Sequence, residues 1–197
     1  MKKLFSLFLI LVLCLSVCYA GIAEDAAPAG GSAEYDAFLA MMQMIPGMDQ
    51  IDWDAFVKEY AAKVASGAEI TLEDCLPAGA WQVFGSMQAM DENGQIPEDL
   101  PYTIDTLVNG NEMVSVYTFK EQISEEDAQT LVGYVATSFE TPETMANLKN
   151  SMEQMGAGNI DISKVVMGLK FLNADGTVIY EKNYTYADLT AALEPAA

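Results

Sequence analysis

Lys164 to Tyr184 continues as Val165-Val-Met-Gly-Leu-Lys-Phe-Leu172, then Asn173-Ala-Asp-Gly176, then Thr177-Val-Ile-Tyr-Glu-Lys-Asn-Tyr184. Two β-rich runs flank a turn. Asn173 opens the turn by capping it with its side chain, Ala174 and Asp175 take right-handed conformations, and Gly176 supplies the positive φ that ends a type I turn in a G1 bulge. Pairing Asn173 with Thr177 puts Val165, Met167, Leu169, Phe171 and Ile179 on one face of the hairpin. The other face then carries Val166, Lys170, Leu172, Val178, Tyr180, Lys182 and Tyr184, with Lys170 directly across from Tyr180. A longer loop that pairs Leu172 with Thr177 groups the apolar residues more cleanly, and both registers stay open.

Before this hairpin, Tyr102 to Val108 and Glu112 to Phe119 are β-rich runs around Asn109-Gly110-Asn111, which predicts a second hairpin. Between the hairpins, Ser124 with Asp127 three residues on caps a helix whose apolar stripe is Ala128, Leu131, Val132, Val135 and Phe139. Thr141-Pro142-Glu143 restarts a helix with Met145, Leu148, Met152 and Met155 on one side, either as a second helix or as a kinked continuation. Thr185 is placed to cap a last short helix through Leu193. Upstream, Thr71 caps a helical turn ending before Pro77, and Trp81, Phe84 and Met87 share a face of a helix from about Ala78 to Met90. Two earlier helices, one with Tyr35, Phe38, Leu39 and Met42, the other capped by Asp52 with Trp53, Phe56, Val57, Tyr60 and Val64, form an N-terminal helical hairpin that must dock on the rest of the chain to bury both stripes. The expected class is α+β, with an antiparallel sheet of two hairpins and connecting helices.

Lys2 and Lys3 precede an uncharged run from Leu4 to Val17 and then small residues, the layout of a secretory signal. Cleavage after Ala20 or after Ala23 fits. Acylation of Cys18 is the alternative, against which stands the β-branched Val17 just before it. The predicted organisation is a signal over residues 1–20, a spacer rich in Ala, Gly and Pro over 21–32, a helical extension over 33–69, and the α+β domain over 70–197. Loss of Lys2 and Lys3 with the signal takes the net charge from −20 to −22. Such a surface repels phosphate backbones and anionic headgroups, so nucleic acid is not an expected partner, and no membrane span is expected in the mature chain.

The chain has no His, which removes His-based triads, His general bases and His zinc sites. Cys14 and Cys18 fall in the signal, leaving Cys75 alone and expected as a small buried thiol. Paired carboxylates for glycoside hydrolysis stay open as a chemistry, although no two acids are marked as facing each other. Asp91-Glu-Asn93-Gly94-Gln-Ile96 echoes a calcium loop, but its first and last ligands would be Ala89 and Leu100, so the motif fails. Met41, Met42, Met44 and Met48, and the pairs Met87 with Met90 and Met152 with Met155, offer thioethers for Cu(I); packing explains the same residues. No cofactor and no metal are expected. The candidate partner-binding surface is Lys170, Tyr180, Lys182 and Tyr184, a basic and aromatic patch on one hairpin face.

Three stretches carry a resemblance: Thr71-Leu-Glu-Asp74, Gly110-Asn-Glu-Met-Val-Ser-Val-Tyr-Thr-Phe119, and Val165 to Tyr180. On these the chain resembles a family of uncharacterised domains in secreted and lipid-anchored proteins of Gram-positive bacteria, over roughly residues 70–184. The resemblance implies a cell-surface location, and its motifs are structural, so it implies no catalytic residues. The resulting expectation is an exported, non-enzymatic envelope or extracellular domain that binds a protein or a glycan, with a carboxylate-based hydrolase and a Met-based Cu(I) binder as the alternatives.

Overall fold

The structure is a computed structural model and describes residues 40, 42–45, 47–87, 97, 99–156 and 160–194. Strand β1 (Tyr102–Asn109) and β2 (Glu112–Phe119) form the first hairpin, and β3 (Val166–Leu172) and β4 (Val178–Thr185) the second. The first runs in unbroken register from Tyr102 opposite Phe119 to Asn109 opposite Glu112. Its turn is two residues, with Gly110 at φ 58°, the positive φ that such a tight connection demands. The sheet order is β1-β2-β3-β4. The fold is α+β as expected, but the sheet is mixed: β2 and β3 run parallel, from Glu112 beside Val166 to Thr118 beside Leu172. The residues between Phe119 and Val166 are long enough to carry the chain back to the start of the sheet before β3 begins, which a parallel neighbour requires.

The second hairpin corrects the sequence reading in one respect. Gly176 has φ 83°, and Asn173 and Thr177 face each other across the turn, the Asn173 amide donating to the Thr177 carbonyl at 2.8 Å. Leu172 pairs with Val178, but Phe171 pairs with Tyr180, so Ile179 is an extra residue and every later pair is displaced by one. Lys170 therefore lies opposite Glu181, and Tyr180, Lys182 and Tyr184 lie opposite Phe171, Leu169 and Met167. The turn follows one anticipated register and the facing of the strands follows the other, with the bulge reconciling them. Burial explains the choice. Without the bulge, Glu181 and Asn183 would point into the core and Tyr184 out of it; with it, Tyr184 is buried and the two polar residues are exposed. Burying one such ring is worth about 2 kcal/mol, and the desolvation of an unpaired Glu is avoided as well.

Helices cover the inward face of this sheet. They are α1 (Trp53–Ala65), α2 (Ala78–Met87), α3 (Glu125–Phe139), α4 (Pro142–Gly156) and α5 (Tyr186–Leu193). Their starts obey local capping chemistry: the side chains of Asp52, Ser124 and Thr185 accept from the amides of Ala55, Asp127 and Asp188. Thr185 with Asp188 completes a capping box, and Pro142 occupies the first position of α4, a second helix rather than a kinked continuation. One cluster gathers Met48, Trp53 and Tyr60 with Leu72, Trp81, Met113, Met152, Met155, Met167 and Tyr184. A second, under α3, holds Ile104, Tyr117, Val135, Leu169 and Phe171. Here Tyr117 stacks on Phe171 at 4.8 Å, flanked by Tyr102 and Tyr180. Val64, expected in the buried stripe of α1, is 41% exposed, one turn beyond the buried Tyr60. Tyr35, Phe38, Leu39 and Met41 lie outside the described residues, as do the signal, Cys18 and the spacer; Met42 is helical and buried.

Each hairpin turn is pinned by a distant strap. Thr71–Asp74 forms a capping box, and from this turn Glu73 donates its amide to the Gly110 carbonyl and accepts from the Gly110 amide, both at 2.8 Å. The Leu72 amide donates to the Asn111 side chain at 2.9 Å. At the other hairpin, the buried Asn173 accepts from the Ile123 amide at 2.9 Å and donates to the Ile123 carbonyl at 3.3 Å. Its side chain thus does more than cap its own turn: it ties that turn to the entry of α3. Cys75 is buried, its thiol directed to the Thr71 carbonyl.

Candidate functional site

The bulge divides the four residues singled out from the sequence. Lys170 stands on the outward face of the sheet, paired with Glu181 at 3.1 Å. Tyr180, Lys182 and Tyr184 stand on the inward face, and Tyr184 is only 5% exposed. Glu140, at the elbow between α3 and α4, receives the Tyr180 hydroxyl at 3.2 Å and the Lys182 ammonium at 3.2 Å. Lys182 also sits 5.9 Å from the centre of the Tyr184 ring. Burial first, and then the Glu140 carboxylate, pushes the Tyr180 hydroxyl up from its ordinary pKa; Tyr184 is pushed up by burial, then by Tyr180 and Glu140. Both phenols stay neutral at physiological pH. This group fastens the helical elbow to β4, and both of its cations are already matched by carboxylates. Lys170 is thus separated from the other three residues, which share the inward face.

The methionines are similarly dispersed in role. Met42, Met48, Met152 and Met155 are core residues, whereas Met44 is 84% exposed. Among the described residues, no three His, Cys, Asp or Glu side chains group as metal ligands.

A different feature opens between α1 and β1. It is a groove of about 550 Å³ walled on one side by Phe56, Glu59, Tyr60 and Lys63 of α1 and on the other by Thr106, Leu107 and Val108 of β1. Glu73, Asp74, Leu76, Pro77, Ala78 and Gln82 complete the lining. The sheet order leaves β1 at an edge. Two elements bring the walls to this spacing. The Thr71–Asp74 strap holds the β1–β2 turn, and α2 lies so close to β1 that a Cβ at Gly85 would be 2.8 Å from the Thr106 nitrogen. Glycine is needed there for the helix to reach the strand.

The charges in the groove are unequal in availability. Lys63 is bound to Asp74, which also accepts from the Thr71 amide and hydroxyl at 2.8 and 2.7 Å. Burial works to raise the Asp74 carboxyl, but Lys63 and the two Thr71 donors outweigh it and hold the pKa below 3.8. Glu73 is engaged with Gly110. Glu59 has no hydrogen bond or ion pair among the described residues. Beside it, Phe56 and Tyr60 pack with ring centres 6.3 Å apart, and Leu107 is 60% exposed. The groove thus combines an aromatic and aliphatic lining with one carboxylate unpaired among the described residues, an arrangement suited to holding an amphipathic ligand.

The sequence did contain a signal for one wall. Phe56, Glu59, Tyr60 and Lys63 recur at helical spacing, so two aromatics and two charges share a side of α1. The opposite wall had none, since Leu107 reads as an ordinary strand residue until the strand is known to lie at an edge.

Residues 87–184 match the model of a family described as a domain of unknown function, DUF4854. That segment contains both hairpins and the two helices between them, while Thr71–Asp74 and α1 precede it. No curated protein and no solved structure matches the chain.

Proposed function

We propose that this chain is an exported, non-enzymatic cell-envelope domain that binds a segment of a partner protein in the groove between α1 and β1. The observation that carries this reading is the groove itself, an open and mostly apolar cleft beside the edge strand β1, lined by Phe56, Tyr60, Leu76, Pro77 and Val108. Export is supported by Lys2, Lys3 and the uncharged run after them. Lipid attachment at Cys18 would tether the same domain to the surface. A protein segment is favoured over a glycan because the lining is mostly hydrocarbon, and two of the three carboxylates are already committed to Gly110, Thr71 and Lys63. A sugar's hydroxyls would find few partners there. The absence of His from the chain and the low pKa of Asp74, which leaves it without a proton to donate near neutrality, support a binding role over hydrolysis.

Two measurements test this. The intact mass of protein recovered from the cell that makes it is expected to show a mature chain beginning at Gly21 or Glu24, and an uncleaved chain would overturn export. A photo-crosslinking amino acid at Leu107 is expected to form adducts with polypeptide in the envelope, while the same group at Val178, equally accessible on the second hairpin, forms none. Equal labelling at both positions, or carbohydrate adducts at Leu107, would overturn the groove as the binding site.

A further inference from the structure

The charge balance around the groove narrows the partner. Residues 40–194 contain Lys58, Lys63, Lys120, Lys149, Lys164, Lys170 and Lys182, and of these Lys63, Lys149, Lys164, Lys170 and Lys182 are each ion-paired. Five of the seven cations are therefore neutralised locally, and the field that reaches solvent is dominated by the surplus carboxylates in a chain of net charge −20. Within the groove the same rule holds: Lys63 is consumed by Asp74, Glu73 is turned to the Gly110 amide, and Glu59 faces the cleft unmatched.

From this geometry we infer that the occupant is a cationic, extended peptide segment in which Lys or Arg alternates with large apolar residues, and that Glu59 is its charge-recognition residue. The inference rests on the groove being the binding site. An apolar side chain of such a segment rests on the half-buried Phe56 and Pro77, and a neighbouring Lys or Arg brings its cation to the exposed Glu59. Because Glu59 has no hydrogen-bond or ion-pair partner among the described residues, pairing costs mainly the removal of its water, and a ligand cation that is itself half-exposed keeps this small. An acidic segment would meet the same carboxylate and the surrounding negative field, and is excluded by repulsion.

The test uses the mature secreted chain and three fluorescein-labelled, end-capped pentapeptides: Leu-Lys-Leu-Lys-Leu, the same peptide with norleucine for lysine, and the same with glutamate. Binding is followed by anisotropy. The lysine peptide is expected to bind about tenfold more tightly than the norleucine peptide at low salt, with the advantage shrinking as ionic strength rises past ~0.5 M. The glutamate peptide is expected not to bind. Glu59→Gln should remove the tenfold advantage and leave the norleucine peptide's affinity unchanged. Glu121→Gln, an equal change of charge at a remote exposed position, should leave all three affinities unchanged. If Glu121→Gln weakens the lysine peptide as much as Glu59→Gln does, the preference belongs to the overall field and the assignment of Glu59 fails. If lysine and norleucine peptides bind alike, or neither binds, the cationic segment is wrong. The groove reading falls separately, with loss of the Leu107 cross-link.

Discussion

The two hairpins of this domain begin with comparable turn chemistry and end differently. In the first, a two-residue turn at Gly110 and Asn111 sets a register that runs without a break to Tyr102 and Phe119. In the second, the turn is as the residues Asn173 to Thr177 dictate, yet the register changes within two pairs because Ile179 is extruded. The difference lies in what waits further along. β1 and β2 alternate in step with their turn, so Ile104, Met113 and Tyr117 all reach the core. In β4 the alternation is out of step with the turn, and a bulge costs less than leaving Tyr184 outside and bringing Glu181 in. A turn determines the register at its own end of a hairpin; burial decides it at the other.

Three substitution and deletion experiments put this contrast at risk. Deleting Ser115 from β2 reverses the facing of half a central strand with no bulge to absorb it. The loss should exceed about 5 kcal/mol, on the order of the whole stability of a domain this size, so no cooperative transition should be seen by circular dichroism. Next in size is Asn173→Ala, which removes the partner of the half-buried Ile123 amide and carbonyl and should cost about 2–3 kcal/mol by urea denaturation. Deleting Ile179 is the counterpart of the Ser115 deletion: it removes the bulge and leaves Val178 opposite Leu172 and Tyr180 opposite Phe171. That variant should fold, losing only about 1–2 kcal/mol for the partly buried isoleucine; an unfolded product would show that the bulge is required for itself.

The smallest effect concerns the strap on the first hairpin and depends on pH. Asp74 has its folded pKa depressed, so its contribution is present above the ordinary value of 3.8 and is lost as pH falls through the lower folded value. Asp74→Asn should therefore be less stable than the parent by about 1 kcal/mol at neutral pH, a modest figure because Lys63 is partly exposed. The gap should close as the solution is acidified below 3.8. A gap that is constant with pH would mean that the strap depends on the shape of Asp74 and not on its charge.

How far the residues alone could be read follows the same local-to-distant gradient. The ends of α1, α3 and α5 were legible because Asp52, Ser124 and Thr185 bond to amides within the same turn of chain. Both hairpin turns were legible for the same reason. The facing of Tyr180, Lys182 and Tyr184 was not, because it depends on which register buries more in a core assembled from α1, α2, α4 and α5. The parallel contact of β2 with β3 was invisible too: nothing in either strand marks which edge will be joined. The groove was half visible, through the spacing of Phe56, Glu59, Tyr60 and Lys63, and its other wall came only with the edge position of β1. The unity of Lys170 with the other three patch residues was lost to one extruded isoleucine.

The parallel seam between β2 and β3 also bears on how the chain reaches this state without sticking to its neighbours. Each hairpin closes locally, on a scale of about 1–10 μs, but the seam must wait until α3 and α4 have brought β3 round beside β2, a closure with a larger entropic cost. In the interval, the inner edges of both hairpins present unpaired amides and carbonyls, the template on which chains pair with one another. A chain with net charge −20 repels its copies at that stage. The acidity is then a safeguard for the slow step of folding as much as a property of the finished surface, and refolding yield should fall as salt screens it.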